Sequence, residues 1–400
     1  MKIRRRELLG AAAASVALSK IAAAAAAATP EAAEVLASVA AKLPRGANGR
    51  LARLMTLDLE SQQDFTAGFR VLHSGKIREA SFAEFDRILE REGHDPAEPM
   101  TIEQVRALTD QEPSINVLAR SWLSNQQITW KTLQTHFHQH SDYYLSQMEA
   151  ADRVGPGKLE LPAKMDVPRY ARHEIHIQPG GYVGDPFAGY VYHYGTLSFY
   201  AGVRGRNHQD EVQRTVASRF PLPPDGKVRR ILDLGCAAGQ LTCAMKERFP
   251  ETEVWGIDAG APMVRYAHLR ANQLGIAANF VHGLAEDTQF PDGYFDIVMS
   301  RILHHELPAD KTLAVIEESR RVTRAGGVFY PLDFVSGGVK TNPRSMFSRW
   351  WDHRWNNEVW SLEYHSLDFT AEIAARGFRQ DKTSPTLTSG YGHRHFVRLA

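Results

Sequence analysis

Cysteine is scarce in this chain, with two residues among 400, and neither sign of charge is in excess. Two cysteines exclude a disulfide-rich scaffold, so packing and hydrogen bonds must hold the fold. The formal net charge is +1, and the residues after Pro30 carry 42 basic against 45 acidic side chains, a net of −3. A near-neutral body presents no basic face to a phosphate backbone, so nucleic acid is not an expected partner.

Strongly apolar runs are missing as well. A membrane-spanning helix needs about 20 such residues, whereas the alanine-rich stretch from Gly10 to Ala28 is only weakly apolar and contains Ser15, Ser19 and Lys20. Hydrophobic residues make up 43% of the chain and charged residues 23%, which is typical of globular proteins. We therefore expect two or three folding units of roughly 150 residues each and no stable membrane span.

The first thirty residues have the pattern of a targeting segment. Arg5 and Arg6 precede Leu8 and Leu9, and small residues suited to signal cleavage follow. This pattern resembles a bacterial twin-arginine signal, which exports proteins already folded in the cytoplasm. We therefore assign residues 1–30 to a signal peptide and expect a periplasmic or secreted protein. The alternative is an alanine-rich leader on a cytoplasmic protein.

Residues 31–155 are predicted to form an all-helical domain. Ser81 and Thr101 each begin a capping box, in which a hydroxyl and a later Glu or Gln satisfy free backbone amides. Apolar side chains recur at three- and four-residue steps over 114–150, which predicts one long or two consecutive amphipathic helices. No strand is expected in this part, and glycine and proline at about 153–168 mark its boundary.

Residues 168–400 change to short apolar runs that alternate with helical stretches. This rhythm predicts an α/β domain with a mostly parallel sheet. The predicted strands are Arg230–Leu234, Val254–Asp258, Asn279–His282, Phe295–Ser300 and Gly327–Asp333. The predicted helices are Gln240–Arg248, Ala261–Leu274 and Ala309–Thr323.

The most specific signal is the turn after the first of these strands, where Asp233 is followed by Gly235 and Gly239. A tight glycine turn that leads into a helix lets backbone amides approach a ligand closely. It is not a dinucleotide fingerprint, because Ala237 and Gln240 stand where that pattern has glycine. The turn resembles instead the first motif of class I S-adenosylmethionine-dependent methyltransferases. That resemblance implies a Rossmann-like sheet and S-adenosyl-L-methionine as the cofactor.

Further segments follow in that family's order, from about residue 228 to residue 333. Asp258 ends the second strand, where an acidic residue can accept hydrogen bonds from both ribose hydroxyls. Leu284 occupies a position that is usually aspartate in the adenine-binding segment, so Glu286, Asp287 or the backbone must replace that contact. The resemblance implies these cofactor-binding residues: Asp233, Gly235, Cys236, Ala237, Gly239, Asp258, Ala259, Ala285, Glu286 and Arg301.

A catalytic base is expected just after the fourth predicted strand. His304 aligns with the histidine that serves as base in small-molecule O-methyltransferases, and His305 with a histidine common in the wider family. Imidazole is suited to take a proton from a hydroxyl near neutral pH. The alternative is that either ring only closes the loop by hydrogen bonds.

Aromatic residues before and after the predicted sheet favour a small, ring-containing or apolar acceptor. One group lies at residues 182–200, and a second lies in a helical insertion at about 336–366 that is expected to cap the site. Tyr182, Tyr194 and Trp351 are the candidate substrate-binding residues. The helical domain resembles the dimerisation domains of such enzymes, which implies a homodimer.

Two groups of histidines raise the question of a metal site. His136, His138 and His140 alternate along a predicted helix, so they cannot converge on one ion. His173 and His176 form the second group. Neither group is interpreted as a metal site, and no metal is expected.

The sequence thus predicts a methyltransferase that acts on a small molecule, with transfer to oxygen favoured. Two other classes remain open. One is an exported protein that binds the adenosyl cofactor without turnover, and the other is an enzyme that transfers or cyclises the aminocarboxypropyl arm of that cofactor.

Replacing Arg5 and Arg6 with lysine keeps the charge but removes the arginine pair that defines the export signal. We expect the variant to accumulate in the cytoplasm while the wild-type protein reaches the periplasm, as measured by cell fractionation. An unchanged distribution would contradict export by this route.

Overall fold

A computed structural model describes residues 45–201, 209–337, 341–383 and 395–400. Strands and helices are numbered here in chain order. The predicted signal peptide lies outside the described residues. Within the described ranges, no helix is long and apolar enough to cross a membrane.

The first part of the described chain is mainly helical. A hairpin of two short strands precedes the helices, so the expectation of no strand in this part was wrong. The strands are β1 (Ala47–Asn48) and β2 (Leu51–Ala52). The helices are α1 (Leu57–Leu72), α2 (Arg78–Arg91), α3 (Ile102–Thr109), α4 (Pro113–Gln139) and α5 (Ser141–Ala151), and a π-helical turn at His73–Ile77 joins α1 to α2.

One of the two predicted capping boxes is present. Thr101 Oγ1 accepts from the amide of Gln104 at 3.3 Å, and the Gln104 side chain accepts from the amide of Thr101 at 2.8 Å. The prediction at Ser81 was wrong, because α2 continues directly from the π-helical turn and Ser81 lies inside the helix. Its hydroxyl donates instead to the carbonyl of Ile77 at 2.9 Å.

An eight-stranded sheet forms the centre of the second part. Its strand order is β3-β6-β5-β4-β7-β8-β10-β9, parallel from β3 to β8, with β10 antiparallel to both of its neighbours. The strand order reverses beside β4, and ligands bind at such a switch point in open α/β sheets. The strands are β3 (Leu159–Glu160), β4 (Arg230–Leu234), β5 (Glu253–Asp258), β6 (Asn279–His282), β7 (Phe295–Arg301), β8 (Thr323–Leu332), β9 (Phe378–Asp381) and β10 (His395–Arg398).

Helices cover the sheet and form the insertion after β8. The Rossmann-like α/β class is confirmed, and the predicted strands and helices agree with the structure to within four residues at each end. The helices around the sheet are α6 (Ala188–Phe199), α7 (Gln209–Ser218), α8 (Gln240–Arg248), α9 (Ala261–Gln273), α10 (Ala309–Val322) and α13 (Phe369–Ala375). The insertion contains α11 (Pro343–Trp355) and α12 (Ser361–Ser366).

The helical part shares its hydrophobic core with the sheet part. Trp130 of α4 packs in one buried cluster with Tyr190 of α6 and Leu269 of α9. Phe347 of α11 lies in another cluster with Phe85 of α2, and their rings stack at 4.8 Å. The predicted boundary at 153–168 therefore marks a change of secondary structure and not the edge of an independent core.

Gly195 is the point where α6 approaches α4 most closely. A Cβ added there would lie 1.7 Å from Cζ3 of Trp130, which is 1% exposed. We expect Gly195→Ala to destabilise the protein by about 1–3 kcal/mol because one of the helices must move. Gly68→Ala is the matched control, since a Cβ at Gly68 in α1 meets nothing within 4 Å, and it should stabilise by about 0.5–1 kcal/mol. Chemical denaturation measures both, and equal midpoints would refute this packing.

Candidate active site

A cavity of about 1120 Å³, its mouth included, opens at the carboxyl ends of β4, β5, β6 and β7. Ligands bind at this edge in open α/β sheets, at the carboxyl ends of the strands beside the switch point.

The turn after β4 forms one wall of the cavity. Gly235 and Ala237 line it. Ala237 adopts a φ of 47°, in the left-handed region that favours glycine, at the position where the family's motif carries glycine. Gly239 lies behind the wall, where a Cβ would come within 2.7 Å of the Phe280 ring. The absence of a side chain at Gly239 thus lets the turn pack against β6, although Gly239 itself does not line the cavity.

Asp258 joins two pieces of this wall. It ends β5 and lines the cavity, and its two carboxylate oxygens accept from the amides of Ala237 and Gly260, each at 2.9 Å. Burial raises the pKa of Asp258 above its ordinary value. Each oxygen retains a further lone pair for a ligand, and Ala259 beside it also lines the cavity.

Two predicted cofactor residues lie in the layer behind the wall. Asp233 is 2% exposed, and its carboxylate accepts from the hydroxyl of Thr242 at 2.6 Å. Burial raises the pKa of Asp233 to about 7. Cys236 is buried, and burial raises the pKa of its thiol, as it does for Cys243. These side chains shape the turn and do not line the cavity.

The segment after β6 supplies the acidic group opposite Asp258. Leu284, Ala285 and Glu286 line the cavity, whereas Asp287 is exposed. The hydroxyl of Tyr170 donates to Oε1 of Glu286. Of the alternatives left open by the sequence, this geometry favours Glu286 as the replacement for the missing aspartate.

The two predicted catalytic histidines lie behind the cavity. His304 is fully buried, with Nε2 3.1 Å from the hydroxyl of Ser300 and its ring centre 4.6 Å from that of Phe369. His305 is 1% exposed, and its Nδ1 lies 2.7 Å from Oδ1 of Asp333. Neither ring lines the cavity, because the 3-10 turn at His304–Glu306 directs both toward β8 and the insertion. The geometry favours the loop-closing alternative for His304.

A cluster of charged side chains lies beside His305, and the sequence did not predict it. It consists of His176, Glu306 and Glu358, which come from three distant segments. Burial alone would lower the pKa of His176, but the carboxylates of Glu358 and Glu306 outweigh it and raise that pKa to about 9. Burial and the neighbouring Glu358 raise the pKa of Glu306 to about 8.

Six aromatic side chains line the cavity as well. The predicted residue Tyr182 lines it, but Tyr194 lies in the core and donates its hydroxyl to the carbonyl of Ala52 at 2.8 Å. Trp351 packs instead against Trp122, with ring centres 4.8 Å apart. Both substrate assignments are therefore corrected. The aromatic lining residues are Trp130, Tyr170, Tyr182, Tyr192, Phe199 and Tyr200.

The insertion was expected to cap the site with its aromatic side chains, and the structure shows a different arrangement. Its tryptophans at 350 and 351 pack against the cluster that contains Phe85 and Phe347, whereas Glu358 reaches the charged cluster beside the cavity. Trp360 donates its indole N–H to the carbonyl of Tyr170 at 3.3 Å. The insertion thus supplies a carboxylate and a brace for the cavity wall.

Residues 231–327 match a family model described as a methyltransferase domain. The matched residues run from β4 into β8. Demethylmenaquinone methyltransferase of Thermus thermophilus is 37% identical over 138 residues, which cover 34% of this chain and 57% of that protein. The ubiquinone/menaquinone biosynthesis C-methyltransferase of Burkholderia cenocepacia is 36% identical over 107 residues, which cover 26% of this chain and 43% of that protein. The chain thus spans about half the length of these curated relatives.

Solved structures of methyltransferases are also similar to this chain. Magnesium protoporphyrin IX methyltransferase from Synechocystis PCC 6803, solved with bound S-adenosylmethionine, is 18% identical with a TM-score of 0.32. That match covers 50% of this chain and 83% of the other.

S-adenosylmethionine is the cofactor of the methyltransferase domain, and the cavity fits it. Seven of the ten predicted cofactor-binding residues line the cavity. Two carboxylates at neighbouring strand ends can accept from ribose hydroxyls and an adenine amino group. The seven are Gly235, Ala237, Asp258, Ala259, Ala285, Glu286 and Arg301.

Glu286 and Asp287 allow a matched test of the adenine contact. We expect Glu286→Gln to weaken binding of S-adenosylmethionine by about tenfold or more, because a hydrogen bond to a charged group contributes about 1.5–3 kcal/mol. Asp287→Asn should leave binding within about twofold, since that side chain is exposed. Titration calorimetry measures both affinities. The reverse order of effects would assign the contact to Asp287.

Proposed function

We propose that this protein is an S-adenosylmethionine-dependent methyltransferase that acts on a small, ring-containing acceptor and transfers the methyl group to oxygen. The observation that carries the proposal is the mixed lining of one cavity. The glycine turn and the carboxylates of Asp258 and Glu286 line it together with six aromatic side chains.

The aromatic lining supports an acceptor with a ring. Trp130, Tyr182 and Phe199 come from three separate segments and line one cavity. Pockets lined by aromatic side chains with a few fixed polar groups are typical of sites for small organic molecules. An acceptor ring can pack against these side chains while its reactive atom faces the cofactor.

Orientation is the main contribution that the chain can make to the rate. When bound, S-adenosylmethionine supplies a methyl group activated by a positively charged sulfur. The walls of the cavity then need to hold the acceptor atom near that methyl group and in line with it. Such positioning supplies about 7–11 kcal/mol of the barrier in favourable cases.

Two polar side chains favour an oxygen acceptor. His176 and Glu306 line the cavity together with the aromatic side chains, and they offer hydrogen-bond partners to a hydroxyl. The two relatives are named as a demethylmenaquinone methyltransferase and a ubiquinone/menaquinone biosynthesis C-methyltransferase, so carbon is the competing acceptor atom.

Export is a separate proposal. We propose that the twin-arginine pattern sends the chain out of the cytoplasm after folding, so that cofactor bound in the cytoplasm could be carried with it.

Incubating the purified full chain with methyl-labelled S-adenosylmethionine and a panel of phenols and quinols tests the proposal. We expect label in the acceptor, one S-adenosylhomocysteine formed per methyl transferred, and mass-spectrometric fragments that place the methyl group on oxygen. Label on a ring carbon would correct the acceptor atom. Release of methylthioadenosine, or binding without consumption, would overturn methyl transfer.

Two glycine variants control for the site. A side chain at Gly235 would meet Leu303 at 2.8 Å in the cavity wall, whereas one at Gly226 meets nothing within 4 Å, and both glycines have nearly equal positive φ. We expect Gly235→Val to lower turnover by about a hundredfold and Gly226→Val to leave it nearly unchanged.

A further inference from the structure

The charged cluster beside the cavity has the composition of a metal site. It consists of the imidazole of His176 and the carboxylates of Glu306 and Glu358, and the imidazoles of His305 and His173 adjoin it. Nitrogen from imidazole together with oxygen from carboxylate is a ligand set for divalent zinc, iron and manganese.

Three of the distances within the cluster suit metal ligands better than hydrogen bonds, whereas Nδ1 of His176 lies within hydrogen-bond distance of Glu358 Oε1, at 3.1 Å. Nε2 of His305 lies 3.6 Å from Glu306 Oε1 and 3.7 Å from Glu358 Oε2, and Nε2 of His176 lies 3.7 Å from Glu306 Oε1. A side-chain contact of 3.6 Å is too long for a hydrogen bond. Two ligands that are each about 2.05 Å from a tetrahedral ion lie about 3.3 Å apart. The polar atoms are thus spaced around a common centre.

The orientation of His305 gives an independent indication. Its Nδ1 is held by Asp333 at 2.7 Å, which directs Nε2 into the cluster, where that buried atom has no hydrogen-bond partner. Metal-bound histidines in proteins have this arrangement, in which a carboxylate or carbonyl fixes one nitrogen and the ion binds the other. His173 repeats it, with Nδ1 3.0 Å from the carbonyl of Tyr170 and Nε2 3.9 Å from Glu306 Oε2.

Two buried carboxyl groups in contact with each other complete the case. Oε2 of Glu306 and Oε2 of Glu358 are buried, and the side chain of Glu358 is only 5% exposed. Buried charges are costly unless they are paired or coordinate a metal. His176 is also held at a φ of 53°, and backbone strain of this kind clusters at functional sites.

We propose that this cluster binds one divalent transition-metal ion through His176, His305, Glu306 and Glu358. The sequence led us to expect no metal, so this proposal departs from that expectation. The competing interpretation is a network in which a protonated histidine alone neutralises the two carboxylates.

The position of the site gives the ion a role. His176 and Glu306 line both the cluster and the cavity, so a bound ion would contact an acceptor oxygen and favour its deprotonated form. This role rests on the proposed function, whereas metal binding does not.

The experiment uses the full chain purified without chelators. Elemental analysis by mass spectrometry should find about one equivalent of zinc, iron or manganese per chain. After chelator treatment and dialysis, calorimetric titration with Zn²⁺ and with Mn²⁺ should show one site.

Glu358→Gln keeps the size of the side chain and should weaken that binding by about tenfold or more. Glu363→Gln in α12 is the matched control, because that side chain accepts only from the amide of Ala309, and it should bind metal as the wild type does.

Two measurements keep the outcome decisive. Circular dichroism and binding of S-adenosylmethionine, measured on each variant, separate loss of the metal site from loss of fold or of the cofactor site. If Glu358→Gln does not fold, His176→Gln replaces it. Wild-type protein that carries no metal and binds neither ion, while it still binds S-adenosylmethionine, would overturn the metal site and leave the proposed function standing.

Discussion

A buried carboxylate at the end of β8 determines how this site is built. Asp333 is fully buried and accepts from the amides of Leu303 and His304 at 3.1 and 2.7 Å, and from the amide of Phe334 at 2.7 Å. Its other contact is with Nδ1 of His305 at 2.7 Å. The charge of His305 outweighs burial and holds the pKa of Asp333 below its ordinary value. One side chain therefore ties the loop after β7 to the end of β8 and fixes the orientation of the His305 ring.

This constraint explains which sequence predictions held and which did not. The strands and helices around the cofactor turn were predicted because their signals are local: an apolar run, a glycine turn and a helix start follow one another within about ten residues. The same local logic placed Asp258 and Glu286 at neighbouring strand ends. His304 was predicted to face the cavity because it follows the strand whose carboxyl end borders the cavity. Only the contact with Asp333, about thirty residues further on, shows that the loop turns the ring away.

The charged cluster could not be predicted from spacing at all. His176, Glu306 and Glu358 are separated by 130 and 52 positions, and no short motif joins them. His173 and His176 were visible in the sequence as a pair, but their partners were not. Aromatic residues misled for a related reason. A tryptophan buries a large apolar surface wherever it is placed, and Trp351 does so by packing on Trp122. Composition alone therefore cannot distinguish a core residue from a residue that lines a binding site.

The shared core connects the helical part to the chemistry. Phe347 of α11 stacks on Phe85 of α2, so the helical part fixes the start of the insertion that delivers Glu358. Trp130 of α4 lines the cavity and donates its indole N–H to the carbonyl of His176 at 2.9 Å. The helical part thereby holds both sides of the cluster, through His176 from one direction and Glu358 from the other. Without these helices the chain would lack Trp130, and with it the hydrogen bond that holds the strained backbone at His176 from that side.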